Sequence, residues 1–443
     1  MENIYKIYAK FKKEPAKVCN DILLQPLFYV FIASACYVLR AFEYIAHPQL
    51  YAEDGAVWLA DGFNIGPKSV LLPLNGLLHF PERLFGFLVA QLPLNIAPFL
   101  FNISAFVLFA IMVYYIFSPR TQILKTNYER FYVLLSLCLI ANIDEFFFNF
   151  SNSIFLLGII GLLILIAKKD TNKLVSYLEK SIFLLTCFTL PFCWFFTLVA
   201  LYERIILKKK QTFFLVASIS GSIAQLFYYL TSHAQRSPVT FISLFSKYTV
   251  LEVYNQIAIP ALRFARIDKG LGVISNLSII IILVVLLTCT IAGAYVFLRS
   301  NKERKFLLFF LLALTFASLK SPIMSSGSAV DALRFMSIAS GGDRYFVFGI
   351  IGLSIIFATT LNTILKSYYR YVYLFLFFII SIYSSLNYHS FFVNKEFTDY
   401  SDEYKRGISQ INLLYQHDIQ IPVNPGHGWK IQLTKKGTPN PNY

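Results

Sequence analysis

Charge is scarce in this chain. Only 14% of its 443 residues are Asp, Glu, Lys or Arg, against about 25% in a soluble globular protein. That shortage excludes a cytosolic enzyme and a disordered chain. Cysteine is scarce too. Cys19, Cys36, Cys138, Cys187, Cys193 and Cys289 avoid the long polar loops, so no disulfide scaffold is expected. The chain has no GxxxxGK[ST], no GxGxxG opening a helix, and no HExxH, CxxC or GxSxG, which argues against nucleotide-driven transport by this chain alone. His47, His233, His389, His417 and His427 show no metal-ligand spacing, so no metal site is expected; the residues leave open whether a divalent metal takes part.

What the chain does have is apolar residue in long runs. It is 57% hydrophobic and 17% aromatic, with uninterrupted stretches such as Ile279 to Leu287 and Tyr371 to Ile380. A span needs about 20 predominantly apolar residues. The pattern predicts an all-α polytopic membrane protein with about nine full spans, near 26–45, 96–117, 130–146, 151–167, 212–230, 274–298, 306–320, 345–365 and 370–388. The basic N-terminus resembles a signal peptide, but its apolar run continues past Ala33-Ser34-Ala35-Cys36 to Leu39, and an uncleaved first span is expected.

The net charge of +15 need not mean nucleic acid. Lys and Arg cluster in short connections such as Lys208-Lys209-Lys210 and Arg299-Lys302-Arg304-Lys305, where they act as topology signals that favour the cytoplasm. The stretch 181–201 is one span long but basic at both ends, with Pro191 at its centre. A re-entrant hairpin broken at Pro191 puts the remaining basic loops inside, provided that protein or a wet cavity shelters its freed backbone groups. The N-terminus is then cytoplasmic and the C-terminus outside. Residues 1–388 form a transmembrane domain with a long first outer loop at 46–95, and 389–443 form an outer tail.

Chemistry must come from the outer segments. The first loop contains YAEDG, Tyr51 to Gly55, with adjacent carboxylates at Glu53 and Asp54. They either cap the short helix from Gly55 to Ala60 or act as general base and partner toward a hydroxyl nucleophile. HFPERL, His79 to Leu84, heads an apolar helix that is expected to lie along the membrane, with Pro81 in its first turn. Arg83 there is either an interfacial anchor or a ligand for a lipid phosphate, to which guanidinium groups make two aligned hydrogen bonds. SGGDRYF, Ser340 to Phe346, offers the same choice at Arg344, which can bind phosphate or pair only with Asp343. The tail segment IPVNPGHGWKIQLTKK is too rich in Pro and Gly for a helix, and its Trp429 beside Lys430 either stacks on a sugar or joins the interfacial aromatic belt.

Together YAEDG, the PERL segment, FNFSNSIFLLG at Phe148 to Gly158, GGDRYF and PGHGW resemble the membrane glycosyltransferases of the GT-C fold. Within them the chain most resembles the O-antigen glucosyltransferases of serotype-converting phages and prophages. The resemblance implies a bacterial inner-membrane enzyme that moves glucose from undecaprenyl-phosphate-glucose to lipid-linked O-antigen on the periplasmic face, without an organic cofactor. It assigns catalysis to Glu53 and Asp54 jointly and donor phosphate to Arg83 and Arg344. Substrate contacts fall to Tyr51, His79, Tyr345, Trp429 and Lys430. It also implies two protein partners, a small flippase and a polyprenyl-phosphate glucosyltransferase. An O-antigen polymerase is a rival reading that would lack the acidic pair after the first span. A flippase or transporter would need ionisable residues deep in its spans.

Overall fold

The computed structural model describes residues 25–139, 148–209, 211–232, 253–258, 276–320, 346–387, 398–414, 418–424 and 428–434. Each apolar run becomes a helix, because continuous Leu, Ile, Phe and Val can satisfy their backbone internally in an apolar medium only as helices. The helices are α1 Pro26–Arg40, α2 Phe80–Val89, α3 Ala97–Phe117, α4 Asn127–Leu139, α5 Phe150–Ile166, α6 Lys173–Cys187, α7 Phe192–Ile205, α8 Thr212–Thr231, α9 Asn276–Arg299, α10 Lys302–Lys320, α11 Val347–Ile364, α12 Ser367–Asn387 and α13 Ser401–Leu414. Two antiparallel pairs accompany them among the described residues: β1 Pro73–Leu74 with β2 Leu77–Leu78, and β3 Asp418–Pro422 with β4 Lys430–Thr434. Among the described residues, Leu94–Phe117, Thr212–Thr231 and Val347–Ile364 are long and apolar enough to cross a membrane, and Pro26–Arg40, Phe150–Ile166, Val284–Arg299 and Ser367–Tyr383 are shorter apolar helices.

The bundle is built around α5. Every residue of α5 except Phe155 is buried, so the helix is apolar all round, as an interior helix must be. It packs on α3, α6, α7 and α10, while α11 lies against α4, α9 and α10. The break foreseen at Pro191 is present: α6 ends at Cys187, Leu190 takes φ +46°, and α7 starts at Phe192. Each arm is about 20 Å long at 1.5 Å per residue, and both arms lie against α8.

The freed backbone at the hairpin tip is covered by the first loop. The Phe80 N–H donates to the Phe188 carbonyl at 3.2 Å, and His79 pairs with Thr189 in an antiparallel bridge. The first loop is thereby tied to the tip. From the other side, the Gln225 side chain of α8 imitates a strand: its Nε2 donates to the Leu78 carbonyl at 2.8 Å and its Oε1 accepts from the Leu78 N–H at 3.1 Å. Within the loop, a π-helical turn Asp54–Leu59 runs into the short helix Ala60–Asn64, and both pack against α2.

That packing depends on Gly86. A Cβ there would lie 2.9 Å from the Trp58 Cβ and closer still to the Trp58 carbonyl. The tail closes over the same turn. In β4 the residues alternate, with Ile431 and Leu433 buried, and a Cβ on Gly55 would sit 2.8 Å from Ile431 Cγ1. Asn64 holds β4 at two points, donating to the Gln432 carbonyl at 2.9 Å and accepting from the Thr434 N–H at 2.9 Å. Because the atoms met at Gly86 are backbone, they cannot swing aside. Gly86→Ala should therefore cost about 1–3 kcal/mol through overpacking, read as a lower melting temperature of the detergent-solubilised protein; an unchanged melt would show that the loop can be re-spaced.

Candidate functional site

The acidic pair is split by its surroundings. Asp54 is wholly buried. Its Oδ2 accepts from the Phe150 N–H at 3.0 Å, and its Oδ1 accepts from the Ser151 N–H at 2.8 Å and the Ser151 hydroxyl at 2.5 Å. It does cap a helix, but not the one foreseen: the turn Asp54–Leu59 has no side-chain cap, and Asp54 serves the N-terminus of α5 instead. The reason is geometric, since the first N–H groups of α5 are orphan donors at the positive end of the helix. Burial pushes the Asp54 carboxyl up to about 7, against the lowering effect of the three hydrogen bonds. Ser151 then passes the tie outward, accepting from the Trp58 indole N–H at 2.7 Å.

Glu53 is half-buried and uncommitted. Its Oε2 is shut off from solvent and has no hydrogen-bond partner. The direction of its side chain is set by Ala52, which takes φ +40°, a strained value for a residue with a Cβ. The tail imposes it: the Ala52 N–H donates to the Asn424 carbonyl at 2.6 Å, and Tyr51 bridges to Asn424. Asn424 is in turn fixed by its Nδ2, which donates to Gln49 Oε1 at 2.7 Å and to the Thr398 carbonyl at 2.9 Å.

The second cluster surrounds Trp58. Its ring lies 5.4 Å from that of His79, and the Arg83 guanidinium stands 5.2 Å from its centroid. Arg83 was expected at the lipid–water boundary, presenting its guanidinium to a phosphate. The structure encloses it at 1% exposure, with Nη1 donating to Asp61 Oδ2 at 2.9 Å and Nη2 to the Pro73 carbonyl at 3.3 Å. Asp61 was not singled out in the sequence, although it repeats the acid–glycine dipeptide of Asp54-Gly55 seven positions later. Glu82, the acid of HFPERL, is wholly buried; its Oε1 accepts from the Thr189 hydroxyl at 2.6 Å and its Oε2 lies 3.9 Å from His79 Nδ1. Burial is the main reason that its carboxyl is pushed up to about 7.

Of the other expected site residues, Tyr51 is buried, and Trp429 is partly buried against the small core of the loop and tail. Lys430 is exposed, with its Nζ donating to Gln420 Oε1 at 3.3 Å. Arg344 and Tyr345 lie outside the described residues. The structure thus joins Glu53, Asp54, Tyr51 and His79 in one loop, with Trp429 on the tail that covers it. No group of three or more His, Cys, Asp or Glu among the described residues could hold a metal ion. The chain matches no family model, no curated protein and no solved structure.

Two outcomes follow from the buried charges. Removing one partner of an enclosed ion pair leaves the other without compensation, so Arg83→Ala and Asp61→Asn should each destabilise by about 3–5 kcal/mol, whereas an interfacial anchor would lose little; thermal melts of the two variants decide. For Glu82, the folded carboxyl titrates near 7 against an ordinary value of 4.5. The stability it contributes is fully present below the unfolded value and is lost as pH rises through the folded one. Glu82→Gln keeps an acceptor for Thr189 and removes the titration. Its melting temperature relative to wild type should therefore improve between about pH 5 and about pH 7.5, by up to about 1.4 kcal/mol per pH unit.

Proposed function

We propose that this chain is a GT-C-type glycosyltransferase of the bacterial inner membrane, with about nine spans, the Pro191 hairpin and a periplasmic C-terminus. It transfers glucose from undecaprenyl-phosphate-glucose to lipid-linked O-antigen on the periplasmic face, the reaction of prophage-encoded serotype conversion. The observation that carries the reading is the division of labour in YAEDG. Asp54 is wholly buried and bound at both oxygens, while Glu53, one residue away, is only half-buried and follows a strained and externally clamped backbone position.

A sugar hydroxyl is a poor nucleophile at neutral pH. Glu53 is the general base that takes its proton as the hydroxyl oxygen bonds C1 of the glucosyl group and the C1–O bond to phosphate breaks. Asp54 is a positioning residue: enclosed on all sides, it cannot reach substrate, but it holds the loop on α5. Tyr51, bridged to Asn424 of the tail, supports the loop, and Trp429 with Lys430 offers a stacking face and a donor to the acceptor glycan. Arg344 and Tyr345, in GGDRYF, serve the donor at the membrane boundary, with Arg344 on the phosphate. Arg83 supports the site from behind, its charge already matched by Asp61. A small flippase and a polyprenyl-phosphate glucosyltransferase supply the donor on the correct face. Membrane lipids complete its surroundings; no nucleic acid is involved.

General-base assistance contributes about 10²- to 10⁴-fold. Glu53→Gln should lose about that much transfer while melting like wild type. Asp54→Asn should lose both stability and transfer. Near wild-type transfer in a well-folded Glu53→Gln protein would remove the base from the mechanism.

A further inference from the structure

Two thiols of this cysteine-poor chain meet where α1 and α4 pack together. Tyr29 of α1 stands edge-on to Phe131 of α4, with ring centroids 6.3 Å apart, and seven residues further along each helix the Cys36 and Cys138 side chains are hydrogen-bonded to each other. Seven residues are two turns of an α-helix, so one stripe on each helix faces the other, and the two helices run in the same direction. One turn later the seam is closed by Arg40, whose Nη1 donates to the Cys138 carbonyl at 3.1 Å. Packed helices have axes about 8–10 Å apart and Cα atoms about 2.3 Å off each axis, so facing Cα atoms come to roughly 3.5–5.5 Å. That range overlaps the window of about 4.4–6.8 Å in which a disulfide forms.

The two thiols differ in access. Cys36 is partly exposed and Cys138 is buried, so a reagent meets Cys36 first, and Cys138 needs only to meet Cys36. The Arg40 guanidinium acts on both sulfurs, and a partly exposed thiol in an electropositive setting is reactive where a buried structural one is inert. Among the described residues the other thiols lack this arrangement. Cys187 and Cys193 are both buried, on either side of the hairpin tip, and Cys289 of α9 has no cysteine beside it.

We propose that Cys36 and Cys138 are a redox-active pair whose disulfide clamps α1 to α4 at the end of α1 that leads into the first loop. This stands apart from the transferase reading. The oxidant is a second disulfide, RSSR. Cys36 gives up its proton and its sulfur bonds one sulfur of RSSR; the RS–SR bond breaks, and the first RSH leaves. Cys138 then gives up its proton and bonds the Cys36 sulfur; the mixed disulfide breaks, and the second RSH leaves. Two cysteine thiols are oxidised, one RSSR is reduced to two RSH, and the two protons pass from the cysteines to the leaving thiols. The bond has something to hold. Tyr37, next to Cys36, accepts from the Phe148 N–H at 2.7 Å at the entry to α5, and Asp54 is seated on the first residues of α5. The closed segment 36–138 is long, and long loops gain most from closure.

The test uses the full chain in detergent, first reduced, then treated with dipyridyl disulfide and quenched with iodoacetamide before it is unfolded and digested. The expected product is a pair of peptides joined through Cys36 and Cys138, lighter by two hydrogens than the two apart. The oxidised protein should melt at least about 2 °C above the reduced one, and added reductant should remove the difference. In Cys138→Ala the reagent should stay on Cys36 as a mixed disulfide, and the rise in melting temperature should be lost. In Cys36→Ala the buried Cys138 should stay unmodified. The mapping and the melt are both read on wild type, so they decide whether or not a variant folds. Wild-type protein that carries the reagent on Cys36 without the cross-link, that reacts at neither cysteine, or that cross-links without a higher melt overturns the proposal. No arm measures glucose transfer, so a failure here leaves the enzyme reading to its own test.

Discussion

The contact between Asp54 and the start of α5 is the constraint from which the loop architecture follows. Two backbone N–H groups and a hydroxyl converge on one enclosed carboxylate. Hydrogen bonds to a charged acceptor are roughly twice as strong as neutral ones, and the positive end of a helix adds to them. Against this stands the cost of removing the carboxylate from water, which burial makes large enough to raise its titration to about 7. The attraction fixes position, and the helix it fixes to is the most enclosed in the bundle. Trp58 follows through Ser151, His79 and Arg83 follow through Trp58, and Glu53 is left pointing elsewhere.

Three carboxylates are buried in this one loop, and each is compensated by a different means. Asp54 uses helix N–H groups, Asp61 uses a guanidinium, and Glu82 uses a hydroxyl and an imidazole. Part of the backbone strain among the described residues lies close by, the rest being at Asn75, Gln122 and Lys208. Ala52, Phe148 and Leu190 all take positive φ without being glycine, and they lie next to Glu53, at the entry to α5, and next to Thr189. Such conformations persist only where the surroundings over-determine them. The hydrogen bonds of Asn424, of Tyr37 to the Phe148 N–H at 2.7 Å, and of the bridge at Thr189 supply that determination.

Helix positions were legible in the sequence because they depend on runs of apolar residue, a local property: all nine stretches read as spans contain a helix, and the interruption at Pro191 is where a missing N–H would put it. The capping role of Asp54 was legible in kind but not in partner, since the N–H groups it serves are 96 and 97 positions away. Arg83 reads as an anchor or a phosphate ligand because nothing local reveals that Asp61, 22 positions earlier, neutralises it. The β4 strand was within reach: Lys430-Ile431-Gln432-Leu433 alternates with a period of two, though Pro and Gly just upstream announce only the absence of a helix.

The clamp on Ala52 has a consequence in time. Gln49 and Asn424, which close it, are 375 positions apart. At a synthesis rate of about 5–20 residues per second, roughly 20 to 75 s separate the emergence of one from the other. For that interval the N–H of Ala52 is left to water and the apolar flank of Gly55 is bare. The first loop is among the first parts of the chain to be made and among the last to be finished, so a ribosome that stalls before the tail leaves Ala52 and Gly55 without the strand that covers them.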